Sequence, residues 1–196
     1  MKLRAALTLV SAVLLTACGV NSVPRSEENA KARWADVQAA YQRRADLIPN
    51  IVATVKGAAA SEGKILTDVT NARASATRIQ VTANDLSDEN KVQQFQAAQQ
   101  ALSGSLGRLL ATAEAYPDLK SQARFGDLVT ELEGTENRIN IAVRDYNTAV
   151  QAYNTTIRTF PDAIGAKIFY GAKPMVPFQA KAGSDTAPTV NFGNTN

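Results

Sequence analysis

The chain has 196 residues, with 21 basic and 18 acidic side chains, a single cysteine and no histidine. Without histidine there is no Ser-His-Asp or Cys-His catalysis, no His-ligated zinc and no Glu-x-x-His pair of a di-iron bundle, and one cysteine cannot close an internal disulfide. The formal net charge of +3 is spread along the chain, which argues against the clustered basic face that grips nucleic acid.

At the N-terminus, Lys2 and Arg4 precede an apolar run from Ala5 to Leu15, interrupted only by Thr8 and Ser11. The run has the size of a signal-peptide core and is too short to span a bilayer. It leads through Thr16 and Ala17 into Cys18. Leu-Thr-Ala-Cys resembles the lipobox of bacterial lipoproteins. The resemblance implies cleavage before Cys18, removal of residues 1–17 as a signal peptide and a thioether-linked diacylglycerol on Cys18. The mature chain is then held at the bacterial envelope by its lipid. Gly19, standing where an aspartate would otherwise redirect sorting, resembles the outer-membrane pattern, facing the periplasm if the host is diderm. Loss of Lys2 and Arg4 leaves 19 basic against 18 acidic side chains.

Residues 18–26, with Pro24, read as a short polar tether. Residues 27–160 are rich in Ala, Gln, Leu and Val, with proline only at 49 and 117. A four-three alternation runs from Ala30 through Trp34, Val37, Tyr41, Arg44, Ile48, Ile51, Val55, Glu62 and Val69 to Ile79. A second runs from Phe125 through Leu132, Glu136, Ile139, Tyr146 and Tyr153 to Phe160. A period of about 3.5 is the seam of long helices in a left-handed bundle. Between them, Val92, Phe95, Ala98, Leu102, Leu106, Leu109 and Ala113 mark another helix. Ser87 is its candidate N-cap, and Asp88 and Glu89 suit its first turn. Residues 83–87 and Tyr116-Pro117-Asp118 are the connections. The expected fold is therefore all-α: an elongated antiparallel bundle of about four helical segments over residues 27–170. A Pro-started segment, 161–170, ends in Phe169-Tyr170. Residues 171–196, punctuated by glycine and proline, read as an extended C-terminal tail.

Pro49 leaves two geometries open. It removes a backbone hydrogen bond and crowds the preceding turn, so it kinks or ends the helix. The seam passes through it in phase, from Ile48 to Ile51, which suits a kink. Three straight helices would then strand Trp34, Val37 and Tyr41 beyond the bundle, to be covered by another molecule. Reversal at Pro49 would instead make a fourth helix and satisfy that stripe internally. The straight-helix register sets Glu62 near Arg108 and Arg124, and Glu136 near Arg73.

Gln42-Arg43-Arg44-Ala45-Asp46-Leu47-Ile48-Pro49-Asn50, followed by Val55-Lys56-Gly57, resembles the LemA family. So do Tyr116-Pro117-Asp118-Leu119-Lys120, Glu133-Gly134-Thr135-Glu136-Asn137-Arg138-Ile139, Arg144-Asp145-Tyr146-Asn147, Tyr153-Asn154 and Phe160-Pro161. Phe178 and Ala187-Pro188-Thr189-Val190-Asn191-Phe192 extend the resemblance into the tail. It covers roughly residues 30–192 and implies a helical bundle at the bacterial envelope. Family members commonly begin with a membrane-spanning helix; here a lipobox stands in its place. The family offers no catalytic residue to carry over.

Several local patterns have plainer readings than their chemistry suggests. Ser61-Glu62-Gly63-Lys64 matches Ser-x-x-Lys, but the companion Ser-Asp-Asn and Lys-Thr-Gly motifs are missing. Asp127, Glu131, Glu133 and Glu136 read as a solvated acidic face with one seam residue, since Glu131 and Glu133 point apart. Tyr146, Tyr153 and Phe160 recur every heptad and read as core. Gly104 and Gly107 read as a helix-packing detail, and Asn154-Thr155-Thr156 as an incidental glycosylation pattern. Arg43 and Arg44, on or beside the seam, read first as packed or snorkelling side chains. With Trp34 and Tyr41 they are the candidate interaction surface. We expect no enzymatic activity, metal or cofactor. The expected partners are the membrane, through Cys18, and an unidentified protein or a second copy of the chain. The leading function is a non-catalytic scaffold or protein-interaction module; the alternative is a small-molecule or peptide binder with a pocket between helices.

Overall fold

The computed structural model describes residues 21–58 and 62–179. Four long helices build it: α1 (Ser22–Ala58), α2 (Gly63–Arg78), α3 (Glu89–Ala113) and α4 (Ala123–Thr156). Among the described residues there is no strand, and no helix is long and apolar enough to cross a membrane. Helices α1 and α4, of 37 and 34 residues, lie along each other, and α2 lies along α3. At about 1.5 Å per residue, α1 alone is roughly 55 Å long. Cross-contacts give the directions. Trp34 and Arg43 of α1 meet Tyr146 and Glu131 of α4, Arg73 of α2 reaches Ala45, and Arg44 reaches Ser103 of α3. The helices therefore alternate up, down, up, down.

The helix continues through Pro49, as the in-phase seam suggests, but neither the three-helix overhang nor a reversal at Pro49 occurs. Helix α1 runs through it, and the chain turns back between Ala58 and Gly63, so the series read as one helix from Ala30 to Ile79 is two. A helix tolerates an internal proline only if the carbonyl four residues earlier finds another donor. That carbonyl belongs to Ala45, and Arg73 Nε of α2 donates to it at 2.7 Å. The neighbouring helix thus supplies the hydrogen bond that Pro49 cannot. The displaced turn also corrects the charge register. Arg73 is engaged with Ala45, Glu136 pairs with Arg44, and Glu62 accepts from the Tyr116 hydroxyl at 2.7 Å.

Three smaller expectations also change. The tether is helical from Ser22, and Val23 is fully buried, so residues 22–26 belong to the bundle. The N-cap of α3 is Asp88, which accepts from the Lys91 amide at 3.2 Å, in place of Ser87. Gly104 and Gly107 lie on the exposed side of α3 and bring no helix close.

After α4 the chain makes a helical turn, Asp162–Gly165, and a π-helical turn, Ala166–Tyr170, ended by Gly171 at φ 54°. A side chain at Gly171 would be strained in that left-handed conformation. Residues 172–179 carry no helix or strand, as expected of the tail, but they are built into the domain. They run between α3 and α4, held by three side-chain amides. Asn154 Nδ2 donates to the Met175 carbonyl at 2.8 Å and its Oδ1 accepts from the Met175 amide at 2.9 Å. Asn147 repeats the pattern one heptad earlier on the Phe178 carbonyl and amide, at 3.0 and 2.8 Å. From α3, Gln96 Oε1 accepts from the Gln179 amide at 3.3 Å. The Tyr146 hydroxyl donates to the Val176 carbonyl at 2.9 Å, and the Val176 amide donates to the Leu86 carbonyl at 2.8 Å.

The core falls into two parts. One gathers Trp34, Val37, Leu86, Phe95, Tyr146 and Tyr153 with Met175 and Phe178. The other gathers Ile48, Ile51, Val69, Leu102, Leu109, Leu119 and Leu132. The stripe at Trp34, Val37 and Tyr41 therefore lies inside one chain: Trp34 is 1 % exposed and Val37 fully buried. It is not the stranded surface that a straight three-helix arrangement would leave.

Candidate functional site

Between the two parts of the core lies a polar layer centred on Arg44. The seam that buries Tyr41 and Ile48 also buries Arg44, which is 1 % exposed. Its Nη1 donates to Ser103 Oγ at 2.6 Å and to Glu136 Oε1 at 2.9 Å. Its Nη2 donates to Gln99 Oε1 at 2.6 Å and to the Gln99 carbonyl at 3.2 Å. The guanidinium carbon lies 5.0 Å from the centre of the Tyr41 ring, a cation–π contact. Nε is buried with no protein acceptor. Gln99 completes the layer by donating to the Ala76 carbonyl of α2 at 3.4 Å. One arginine of α1 is thereby tied to α3 and α4, and through Gln99 to α2. Arginine suits this role because its planar fork holds several acceptors at once.

The chemistry here is that of a buried cation whose two terminal nitrogens are held by acceptors while Nε has none. Burial pushes the Tyr41 phenol up to about 12; the Arg44 charge pulls against that and Glu136 adds to it. Burial likewise raises the Tyr146 phenol. Both rings therefore stay protonated at neutral pH.

Beside the layer a groove of about 340 Å³ opens between α1, the end of α2 and the connection that follows it. Tyr41, Phe95 and Gln99 line it together with Gln38, Gln42, Thr77 and Gln80. The Trp34 indole and the Gln38 amide both donate to the Val81 carbonyl, at 2.8 and 3.1 Å, and pin its wall. The groove offers aromatic surface and primary amides, groups suited to hydrogen-bonding ligands.

The residues proposed as a surface are divided by the structure. Trp34 and Arg44 are interior, Tyr41 is half-buried at the groove, and Arg43 is exposed and paired with Glu131 at 2.7 Å. Cys18 and Ser61 lie outside the described residues. Lys64 is exposed and pairs with Asp68 at 3.2 Å. Glu131 and Glu136 turn to arginines of α1, while Asp127 and Glu133 face solvent. Among the described residues no acidic or cysteine cluster could hold a metal ion. Tyr146 and Tyr153 are core, but Phe160, their heptad partner, is 82 % exposed.

Gln99 and the amide clamp were not anticipated. Gln99 is legible in the spacing, because a strict alternation from Phe95 to Leu102 passes through it, although Ala98 beside it is the apolar residue. The clamp had no comparable signal, because its partner is extended backbone.

Both the polar layer and the clamp lie within the span over which the chain matches a known family. A LemA family model matches residues 33–192. The chain belongs to the LemA family. Arg43, Arg44, Pro49, Asn147 and Asn154 all fall inside the match, so the LemA domain comprises the bundle and the clamped segment together. Cys18 and the first turns of α1 precede it. No curated protein matches the chain.

Proposed function

We propose that this LemA family chain is a lipid-anchored bacterial envelope protein whose helical bundle acts as a non-catalytic scaffold or protein-interaction module. The lipobox at Leu15–Cys18 supports the anchor, and the use of Arg44, Glu136, Ser103 and Gln99 on one another supports a structural rather than catalytic interior. The observation that carries the reading is the length of α1. With a lipid on Cys18, four residues before Ser22, the bundle reaches roughly 55 Å from its anchor. Such a rod can present its far end, near Lys64 and Ser121, to an envelope partner.

The test is photo-crosslinking in intact cells from exposed positions 64 and 121, beside Cys18→Ser. Discrete protein adducts that depend on Cys18 are expected. An unchanged membrane location for a cleaved Cys18→Ser chain removes the anchor, and a lack of adducts from both positions removes the scaffold. The groove beside Tyr41 favours the second reading, a binder of a small molecule or peptide. Native mass spectrometry distinguishes it: a ligand retained by the wild type and lost in Thr77→Trp, which fills the groove, would favour the binder.

A further inference from the structure

The end of the bundle nearest Ser22 carries an apolar surface that the fold does not use. Phe160, Ile164, Ile168 and Phe169 are 82, 52, 68 and 69 % exposed. The segment bearing them is amphipathic in the reverse of the usual sense. Its small residues, Gly165 and Ala166, face the bundle and are buried, while its large apolar residues face outward. Ile164, Ile168 and Phe169 are exposed on the helical turns, and Phe160 is exposed in the turn just before them. A helix in water turns its bulky apolar side inward. A contiguous apolar patch left outside marks a contact with something else.

We propose that this tip inserts into the lipid surface beside the anchor, so that the bundle stands in a fixed orientation on the membrane. The inference rests on the reading that Cys18 is lipidated. Two observations select a lipid surface as the occupant. The first is distance. The Ser22 hydroxyl donates to Asp162 at 2.6 Å, so the start of α1 is fastened to this segment. Cys18 is three residues before Asn21, a span of at most about 11 Å. A lipid there holds the membrane within reach of Phe160 and Ile164. The second is charge. Residues 157–179 carry Arg158, Lys167 and Lys173 against Asp162 alone, and that one carboxylate already accepts the bond from Ser22. Aromatic and aliphatic side chains interspersed in sequence with lysine and arginine suit anionic headgroups over acyl chains. A short leash alone would let the rod lie at any angle. Adding the tip gives the membrane a second point of contact and restricts the tilt.

The experiment reconstitutes purified full-length protein, processed by its host, into vesicles of equimolar phosphatidylcholine and phosphatidylglycerol with brominated acyl chains. Phe169→Trp places an indole at the tip, and Ser121→Trp, on an exposed residue at the far end, is the control. The native Trp34 is buried and gives a constant background. Phe169→Trp emission is expected to be quenched about twofold, as for a ring at the headgroup–acyl boundary, and Ser121→Trp emission unchanged. Mass spectrometry of the N-terminal peptide reports the lipid separately. Lipid on Cys18 without quenching at position 169 overturns the insertion and leaves the anchor standing. Quenching without lipid upholds insertion and removes the anchor. A Phe169→Trp emission shielded from water but not from bromine, in a protein that sediments as a dimer, assigns the tip to a second copy and overturns the proposal.

Discussion

The two parts of the core, on either side of Arg44, solve the same problem with different materials. Beyond Arg44, toward Ile51, Leu109 and Leu132, aliphatic side chains from four helices meet, and the turn Pro117–Lys120 adds a fully buried Leu119. Toward Ser22, α2 has already ended at Arg78, and Trp34, Tyr41, Phe95, Tyr146 and Phe178 fill the space, with ring centres 5.3 to 6.3 Å apart. Here the gap between α3 and α4 is closed by extended backbone. Aliphatic packing asks only for shape. A strand-like segment between helices brings unpaired amides and carbonyls, so its neighbours must supply donors and acceptors, here mainly Asn and Gln side chains. The position of the Asn147, Asn154 and Gln96 amides follows from that requirement.

Cutting the joint between the halves should have the largest effect. Arg44→Ala removes the layer that ties the helices together and leaves Gln99 and Ser103 without a donor. Losing one partner of a buried pair costs about 3–5 kcal/mol, and the 39 % exposure of Glu136 sets the expectation at the lower end. Denaturant unfolding should show it. Glu136→Ala should cost less than Arg44→Ala but more than Glu133→Ala, whose carboxylate is exposed. Equal midpoints for the two glutamate variants would mean that the Arg44–Glu136 pair contributes no stability.

Asn154→Ala should act on one half only. It leaves the Met175 amide and carbonyl unpaired, at about 1–3 kcal/mol. Hydrogen exchange should accelerate across residues 172–179 while α2 and the end of α1 stay protected. Uniform acceleration in both halves would show that the two parts unfold as one unit.

The bond from Arg73 to Ala45 can be tested by a double-mutant cycle. Arg73→Ala in the presence of Pro49 orphans the Ala45 carbonyl and should cost about 1–2 kcal/mol. With Pro49→Ala, which restores the helical amide, the same change should cost clearly less. No coupling between the two sites would refute the substitution of a side-chain donor for the lost backbone one.

The smallest effect is on pH. The Tyr41 phenol is raised to about 12 from a usual value near 10. A raised acid holds its proton more tightly when folded, so its contribution is complete below pH 10. It declines from pH 10, where the unfolded tyrosine ionises, and is lost as pH passes about 12. Tyr41→Phe should reduce the alkaline loss of stability over that window, and ultraviolet titration should show a phenol ionising late. A Tyr41 that ionises near 10 would place it in solvent rather than against Arg44 and Phe95.

Helical faces were legible in the residues themselves. Trp34, Val37, Ile48, Ile51, Val69, Leu102, Ile139 and Tyr146 sit inward as their spacing requires, because the angle between successive side chains is a local property of the helix. The proposed surface was less legible. Spacing places Arg44 and Trp34 on the seam, but whether a seam faces its own chain or another depends on closure elsewhere. Phe160 shows the converse: its spacing continues the Tyr146–Tyr153 stripe, yet α4 ends at Thr156 and the ring emerges.

By itself the sequence determined an all-α LemA bundle, its buried faces and the lipobox pattern before it. Those are matters of period, composition and short motif, carried by neighbouring residues. Only the tertiary structure decided where the first long helix turns back, because a turn that preserves heptad phase leaves the periodicity undisturbed. Only it decided that Pro49 could stay inside α1, since the missing hydrogen bond comes from Arg73, 24 positions along the chain from Pro49 and on another helix. It also decided that residues 172–179 belong to the core. An extended segment has no period of its own there, and its place is set by amide partners that are distant in sequence and adjacent in space.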